Sequence, residues 1–285
     1  MLSAVKKCLL TAVLLCISLL MLAPLVVTIT NGFMSEEEIA VNYDAIGQEA
    51  KAGDYANLKL IPDRVTLAQY KRILLEKPQF LTMFWNAVIV TLPVVAGQTI
   101  VAALAAYAFA KLRFRGRDAL FLLYVITMLL PFQVTLVPNF IAIDVLGLLD
   151  TYPAIILPGM FSVFGVFLLR QFMSQIPWAY IEAAKVDGAG HGTIFLRIVV
   201  PMSMPSMAAM QILVFVDNWN MVEQPLLFLH DALKQPLSVY LSRIHEGDRG
   251  VAFAAASLYM TPILFIFLYG ENELIQGIQL SGIKG

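Results

Sequence analysis

Long stretches without a charged residue are the feature that most restricts how this chain can fold. Five such stretches are each about 18 residues or longer, enough for a helix to cross the ~30 Å hydrocarbon core of a membrane. A sixth, shorter stretch at 202–216 runs into polar residues, and we interpret it as a span with a polar far end. The sequence therefore predicts an all-α membrane protein with six transmembrane helices, of which the five longer ones cover 8–29, 87–110, 119–137, 152–169 and 251–270.

Charged residues in the short loops predict the orientation. The 111–118 loop holds four basic residues and one acidic residue, whereas 138–151 holds two acidic residues and no basic one. Because Lys and Arg mark the loops on the cytoplasmic side, we expect 111–118 inside and 138–151 outside. Alternation then places 170–201 and both termini in the cytoplasm of a multi-pass protein. If 202–216 is re-entrant instead, the chain has five crossings and its ends lie on opposite sides.

Four segments follow from this topology. They are an N-terminal anchor helix (1–30), an extracytoplasmic segment (31–84), a five-helix core with a cytoplasmic loop at 173–205 (85–275), and a cytoplasmic tail (276–285). The first apolar run exceeds the roughly 7 to 15 residues of a secretory signal, so we expect it to be retained as an anchor. Ahead of Pro78, the sequence from Leu67 onward fits either a short amphipathic helix or an ordinary connector.

Composition and motifs argue against several function classes. Only 14% of the residues are charged, against roughly 25% in soluble domains. With 19 basic and 20 acidic residues, the chain has no basic field to hold nucleic acid. No phosphate-binding G-x-x-x-x-G-K-[ST] loop, zinc-protease histidine pair or G-x-S-x-G elbow occurs. We therefore expect no nucleic-acid partner, no bound metal or cofactor and no catalytic residue, and a membrane-embedded enzyme is the rival class.

The cytoplasmic loop predicts a docking knob. Residues 178–186 fit a short helix that Gly188 ends. Glu182 and Asp187 offer carboxylates towards its two ends. Small side chains would let another protein approach this helix closely; they are Ala183, Ala184, Gly188 and Ala189.

This loop resembles the EAA loop of ABC importer permease subunits. The family pattern is Glu-Ala-Ala, three residues, Gly, and a later Ile-x-Leu-Pro. Val200 stands where the pattern has Leu, and the matching residues are Glu182, Ala183, Ala184, Asp187, Gly188, Ala189, Ile198 and Pro201.

Other segments resemble the carbohydrate-uptake branch of that family, in particular its maltose-type (MalG-like) second permease. They are 105–110, Pro131 with Gln133 and Pro138, Trp219-Asn220 with Pro225-Leu226, and 282–285. The resemblance begins near Ile61. The outer insert at 34–58 departs from it, as does Ala87, where the family usually has Ser.

The resemblance implies a subunit with the type I ABC importer permease fold in a bacterial or archaeal cytoplasmic membrane. Its implied partners are membrane lipid, an ATPase dimer that uses ATP and Mg, a second permease that is a different chain, and an extracytoplasmic solute-binding protein. In this family the EAA helix sits in a groove of the ATPase, so the implied coupling residues are Glu182, Ala183, Ala184, Asp187, Gly188 and Ala189. The subunit itself would be no enzyme. The alternative is that Ala184 and Gly188 merely permit a tight turn.

Polar residues at the end of the sixth span mark a possible substrate path. On one continuous helix, Asp217, Asn220 and Gln224 would share a face, with Trp219 and Glu223 on another. Amides and carboxylates beside an indole suit a sugar, so we predict the path residues as Asp217, Asn218, Trp219, Asn220 and Gln224. The other interpretation is a structural feature near the outer mouth, with the partner permease holding the solute.

The expected solute is a sugar or oligosaccharide. The alternative is a polyol or glycerol-phosphate type solute. A phosphate would require cationic groups facing the pathway, and the central spans supply none.

Overall fold

The computed structural model describes residues 2–43, 57, 59–243 and 249–282. Within these residues the chain forms helices joined by turns and contains no strand, which confirms the all-α class. Residues 283–285 of the predicted tail and most of the predicted outer insert lie outside the described residues.

In the part of the chain that the structure describes, four helices are long and apolar enough to cross a membrane. They are Lys6–Asn31, Pro78–Lys111, Pro153–Gln175 and Arg249–Ile275. Two further helix pairs pass the same test only as bent pairs, so the predicted count of six holds if each bent pair is one span.

Prolines cause both bends. The predicted span at 119–137 is not one continuous helix: helices Arg117–Leu129 and Phe132–Val145 meet at 102°. Leu130 is extended there because it precedes Pro131, whose ring disfavours helical geometry in the residue before it. The second bend, of 74°, separates His191–Met202 from Met204–Trp219. Pro205 has no N–H to donate back to the preceding turn.

By packing, the chain divides into two compact units. The first comprises 1–81 and 240–262. It contains α1 (Leu2–Asn31), α2 (Glu36–Tyr43) and the short α3 (Ala68–Lys71), which continues as a π-helical turn to Glu76. A helix ahead of Pro78 is thus confirmed.

The apolar side chains of α1 from Leu9 to Leu22 are exposed, as expected for a helix in contact with lipid. In the same unit, Met34, Ile39 and Tyr43 form a small core with Phe253 against it. The Arg249 guanidinium donates to the Tyr43 carbonyl, and the Asn31 amide donates to the Tyr43 hydroxyl. Outside the membrane-spanning helices, Glu38 accepts from the Asp63 N–H and pairs with Lys59, and these contacts lower the pKa of its carboxyl.

The second unit comprises 82–239 and 263–285. The long helices α4 (Pro78–Lys111) and α15 (Arg249–Gly282) belong to both units, and the boundary also falls within the short helix α14 (Leu237–Leu241), between residues 239 and 240. The remaining helices of the second unit are α5 (Arg117–Ile126), α6 (Phe132–Val145), α7 (Pro153–Gly159), α8 (Val163–Gln175), α9 (Trp178–Val186), α10 (His191–Ile194), α11 (Val200–Met202), α12 (Met204–Trp219) and α13 (Glu223–Phe228).

Candidate functional site

Helix α9 has the bounds that the sequence predicts. Pro177 precedes its first turn with the fixed backbone angle that favours a helix start. At its end, Gly188 has φ +81°, the left-handed conformation that favours glycine. The Gly188 N–H donates to the Lys185 carbonyl at 3.0 Å, and the Ala189 N–H donates to the Ala184 carbonyl at 2.9 Å. This pair of bonds is a Schellman motif, which ends the helix.

One face of α9 is anchored in the core of the second unit. Ile181 is buried, together with Ile194 and Val199 from the segment that follows α9. The Tyr107 ring of α4 lies 5.2 Å from the Phe195 ring, and its hydroxyl is 3.0 Å from His191 Nδ1. The loop is therefore packed against the long helix α4.

The opposite face of α9 is open. Glu182, Ala183, Val186 and Asp187 are exposed, whereas Ala184 and Ala189 are half-buried. A Cβ added at Gly190 would meet no atom within 4 Å, and the same holds at Gly188. The constraint at Gly188 is thus its backbone angle rather than packing within this chain. The structure places the predicted coupling residues together on this knob, and their contact with an ATPase stays a prediction.

A cavity of about 990 Å³ lies in the second unit, lined by polar residues at the end of α12 and the start of α13. Asp217, Asn218, Asn220 and Gln224 line it, as does Glu223. Opposite groups come from α4, α6 and the turn before α8; they are Gln98, Thr135, Asn139 and Ser162. The cavity is large enough for a small solute.

Two expectations about this region are wrong. The expected continuous helix does not exist, because α12 ends at Trp219 and α13 begins at Glu223. Trp219 does not line the cavity: it is 1% exposed, stacks on Phe215 at 5.3 Å and meets the edge of Phe84 at 5.6 Å. Its indole is a core group here rather than a platform for a sugar.

A second cluster joins the loops that the charge pattern places outside. Asn86 donates to the Leu233 carbonyl at 2.6 Å and to the Gln235 carbonyl at 3.1 Å, and it accepts from the Tyr152 hydroxyl at 2.8 Å. Nearby, Lys234 Nζ lies 2.9 Å from Asp150 Oδ2. This hydrogen bond, with another from the Asp231 N–H, lowers the pKa of the Asp150 carboxyl. Among the residues that the structure describes, no group of three His, Cys, Asp or Glu could hold a metal ion.

Residues 98–272 match the family described as "Binding-protein-dependent transport system inner membrane component". The matched stretch is more than half of the chain and includes α9 and all of the residues that line the cavity. The chain belongs to this family. It is therefore an inner-membrane permease subunit of an ABC importer.

Similar proteins agree with this assignment. The arabinooligosaccharides transport system permease protein AraQ of Halalkalibacterium halodurans is 30% identical over 79% of this chain and 81% of its own length. The sn-glycerol-3-phosphate transport system permease protein UgpE of Pectobacterium atrosepticum is 32% identical over 69% of this chain and 72% of its own length. Among solved structures, a bacterial ABC transporter involved in the import of the acidic polysaccharide alginate has a chain with TM-score 0.78 and 25% identity, covering 95% of this chain and 97% of that one. The expected importer permease fold is thus confirmed.

Sequence reasoning missed the joint that holds α9 to the rest of the permease. Lys111, at the end of α4, is 3% exposed and donates to the carbonyls of Ile176 at 2.6 Å and Ser174 at 3.4 Å. Its ammonium also lies 5.2 Å from the Trp178 ring centroid. It was counted only as one of the cations that mark a cytoplasmic loop. The sequence offers no sign that it is buried, because its partners are backbone carbonyls more than sixty residues away.

Proposed function

We propose that this permease subunit couples to a separate ATPase through the exposed face of α9 and forms half of a pathway for a sugar or oligosaccharide. The geometry of α9 supports the coupling. An exposed helix with small and acidic side chains is anchored by its other face to α4, so force on the helix reaches a membrane-spanning element.

The proposed assembly contains two permeases, two ATPase subunits that use ATP and Mg, and an extracytoplasmic solute-binding protein. The second permease is a different chain, and both termini of this chain lie in the cytoplasm. The family description itself names a binding-protein-dependent system. The transporter would populate an outward-open and an inward-open conformation. Closure of the ATPase subunits would then shift the population from one conformation to the other.

The proposed solute class rests on the relatives and on the cavity. AraQ is named for arabinooligosaccharides, and the structural neighbour for alginate. The cavity wall in this chain offers amide, hydroxyl and carboxylate groups, which suit the hydroxyl groups of a carbohydrate.

Copurification tests the assembly. The permease is tagged in its native membrane, extracted in mild detergent, and analysed by mass spectrometry and for ATP hydrolysis. We expect an ATPase, a second permease and a binding protein. Recovery of the permease alone from several mild detergents, while uptake in the source membranes persists, would contradict the proposal.

A charge reversal tests the coupling surface. Glu182→Lys changes an exposed residue of α9, and Glu37→Lys is the matched change at an exposed position of α2. We expect Glu182→Lys to lower solute-stimulated ATP hydrolysis and uptake at least tenfold, and Glu37→Lys to leave both near wild type. Equal effects of the two variants would argue against α9 as the coupling element.

The similarity to UgpE supports a second candidate, the import of a glycerol-phosphate type solute. Uptake assays in membranes with the binding protein present, using labelled oligosaccharides and sn-glycerol-3-phosphate, distinguish the two. If sn-glycerol-3-phosphate is taken up and none of the oligosaccharides is, import of a glycerol-phosphate type solute would replace the sugar proposal.

A further inference from the structure

Two acidic side chains line the cavity at the end of α12 and the start of α13. Asp217 and Glu223 both line it, and both are exposed. Within the described part of the chain neither carboxylate forms an ion pair, and no Lys, Arg or His is among the lining residues. The lining that this chain contributes to the cavity therefore carries a net negative formal charge.

Hydrogen bonds within the wall occupy some of its donors and leave the matching oxygens as acceptors. The Thr135 hydroxyl donates to the Phe132 carbonyl at 2.8 Å, and the Asn218 amide donates to the Val214 carbonyl at 2.8 Å. Each then presents its oxygen as an acceptor, and ionised carboxylates only accept. The two carboxylates and these oxygens favour a solute that supplies hydrogen-bond donors.

We propose that this cavity selects hydroxyl-rich solutes without negative charge, either neutral or amino-substituted, and excludes anionic ones. The inference rests on the proposed function, in which this chain forms half of the pathway. Hydroxyl and ammonium groups donate to the carboxylates, whereas carboxylate and phosphate groups meet them as like charges.

This inference sets the permease apart from two similar proteins. The solved importer is described as taking an acidic polysaccharide, and UgpE is named for a phosphate ester. Both of those solutes are anions. Charge selection by Asp217 and Glu223 would make this chain unsuited to either.

The rate of thiol modification reports the sign of the electrostatic potential in the cavity, and the experiment does not require the solute to be known. In the assembled transporter, Cys8 and Cys16 are replaced by Ser, and Ser162→Cys or Thr135→Cys places one reporter in the cavity wall. The rates of a cationic trimethylammonium-ethyl and an anionic sulfonatoethyl methanethiosulfonate are compared. Their ratio is divided by the same ratio for 2-mercaptoethanol in solution.

We expect the normalised ratio to favour the cation by about tenfold, as for two acidic charges within a Debye length of ~10 Å. Combining Asp217→Asn with Glu223→Gln should bring it close to one. Asp144→Asn, an exposed carboxylate of α6 outside the cavity wall, should leave it unchanged.

A normalised ratio at or below one overturns the inference, and so does a ratio that the double substitution does not change. Failure of both reporters to react with either reagent overturns it too, because the cavity would then be closed to water. These outcomes differ from failure of the proposed function, which appears as absence of the ATPase or of uptake.

Discussion

The ammonium of Lys111 donates to the backbone carbonyl of Ile176 at 2.6 Å and thereby ties the end of α4 to the chain just before α9. A cation at the carbonyl end of a helix is stabilised by the unpaired carbonyls there. Trp178, the first residue of α9, lies over the same ammonium, so Lys111 contacts both the end of α8 and the start of α9.

Removing the Lys111 charge should uncouple ATP hydrolysis from uptake. Lys111→Met leaves two carbonyls without their donor, which costs about 1 to 3 kcal/mol. We expect a lower thermal midpoint and fewer solute molecules imported per ATP hydrolysed, measured in proteoliposomes. Lys71→Met, an exposed lysine of α3, is the control and should change neither quantity. An unchanged stoichiometry in Lys111→Met would show that this joint serves stability alone.

The left-handed turn after α9 should be sensitive to substitution at Gly188 alone. Gly188→Ala forces a Cβ into φ +81°, at a cost of about 1 to 2 kcal/mol, and shifts the end of α9. Gly190→Ala is the matched change, because its φ is −75° and the space is open. We expect solute-stimulated ATP hydrolysis to fall in the first variant and to persist in the second. Similar rates of solute-stimulated ATP hydrolysis in both variants would contradict a role for this turn in coupling.

The indole of Trp219 should act in folding rather than in solute binding. Trp219→Ala empties a buried site between Phe84 and Phe215, which costs about 3 to 5 kcal/mol and lowers the yield of folded complex. Trp219→Phe keeps most of the packing. We expect that variant to retain the apparent affinity for solute in uptake assays. A tenfold loss of affinity in Trp219→Phe would instead assign the indole to the solute path.

The Asp150–Lys234 pair should contribute stability over a broad pH range. The hydrogen bond from Lys234 lowers the pKa of Asp150, and the same bond raises the pKa of Lys234. The contribution is therefore complete above the ordinary carboxyl pKa of about 4 and below the ordinary lysine pKa of about 10. It is lost as pH falls through the lowered pKa of Asp150 or rises through the raised pKa of Lys234.

Thermal midpoints of wild type and Asp150→Asn measure this effect. We expect the same difference at pH 6 and pH 8, with wild type more stable, and a smaller difference as the pH is lowered below about 4. The Lys234 bond to the Asp150 carbonyl persists in the variant, so the difference reports the carboxylate. A difference that grows on acidification would contradict the assigned shift.

The sequence predicted elements that depend on local chemistry. Pro177 and Gly188 define α9 because a proline favours a helix start and a glycine adopts the left-handed end, and both effects act within one turn. Apolar length likewise predicted the long helices. The bend at Pro131 was missed because hydropathy measures polarity and does not register the backbone restriction before a proline.

Contacts between distant segments could not be predicted in this way. Lys111 and Trp219 show opposite errors: a cation counted as a loop charge is buried, and an indole expected in the pathway packs in the core. Both outcomes depend on which helices become neighbours. The cavity residues Asp217 and Gln224 are brought together although the helix assumed to align them is broken.

Photo-crosslinking from α9 tests the central claim of ATPase coupling most directly. Val186 and Val41 are matched apolar residues, 87% and 86% exposed, on α9 and α2 respectively. Each is replaced by p-benzoylphenylalanine in the membrane-embedded transporter, which is then illuminated with and without ATP. We predict an adduct with the ATPase subunit from position 186, with a yield that changes with ATP, and none from position 41. Absence of the adduct at 186 in a transporter that retains uptake, or an equal adduct at 41, would contradict the account.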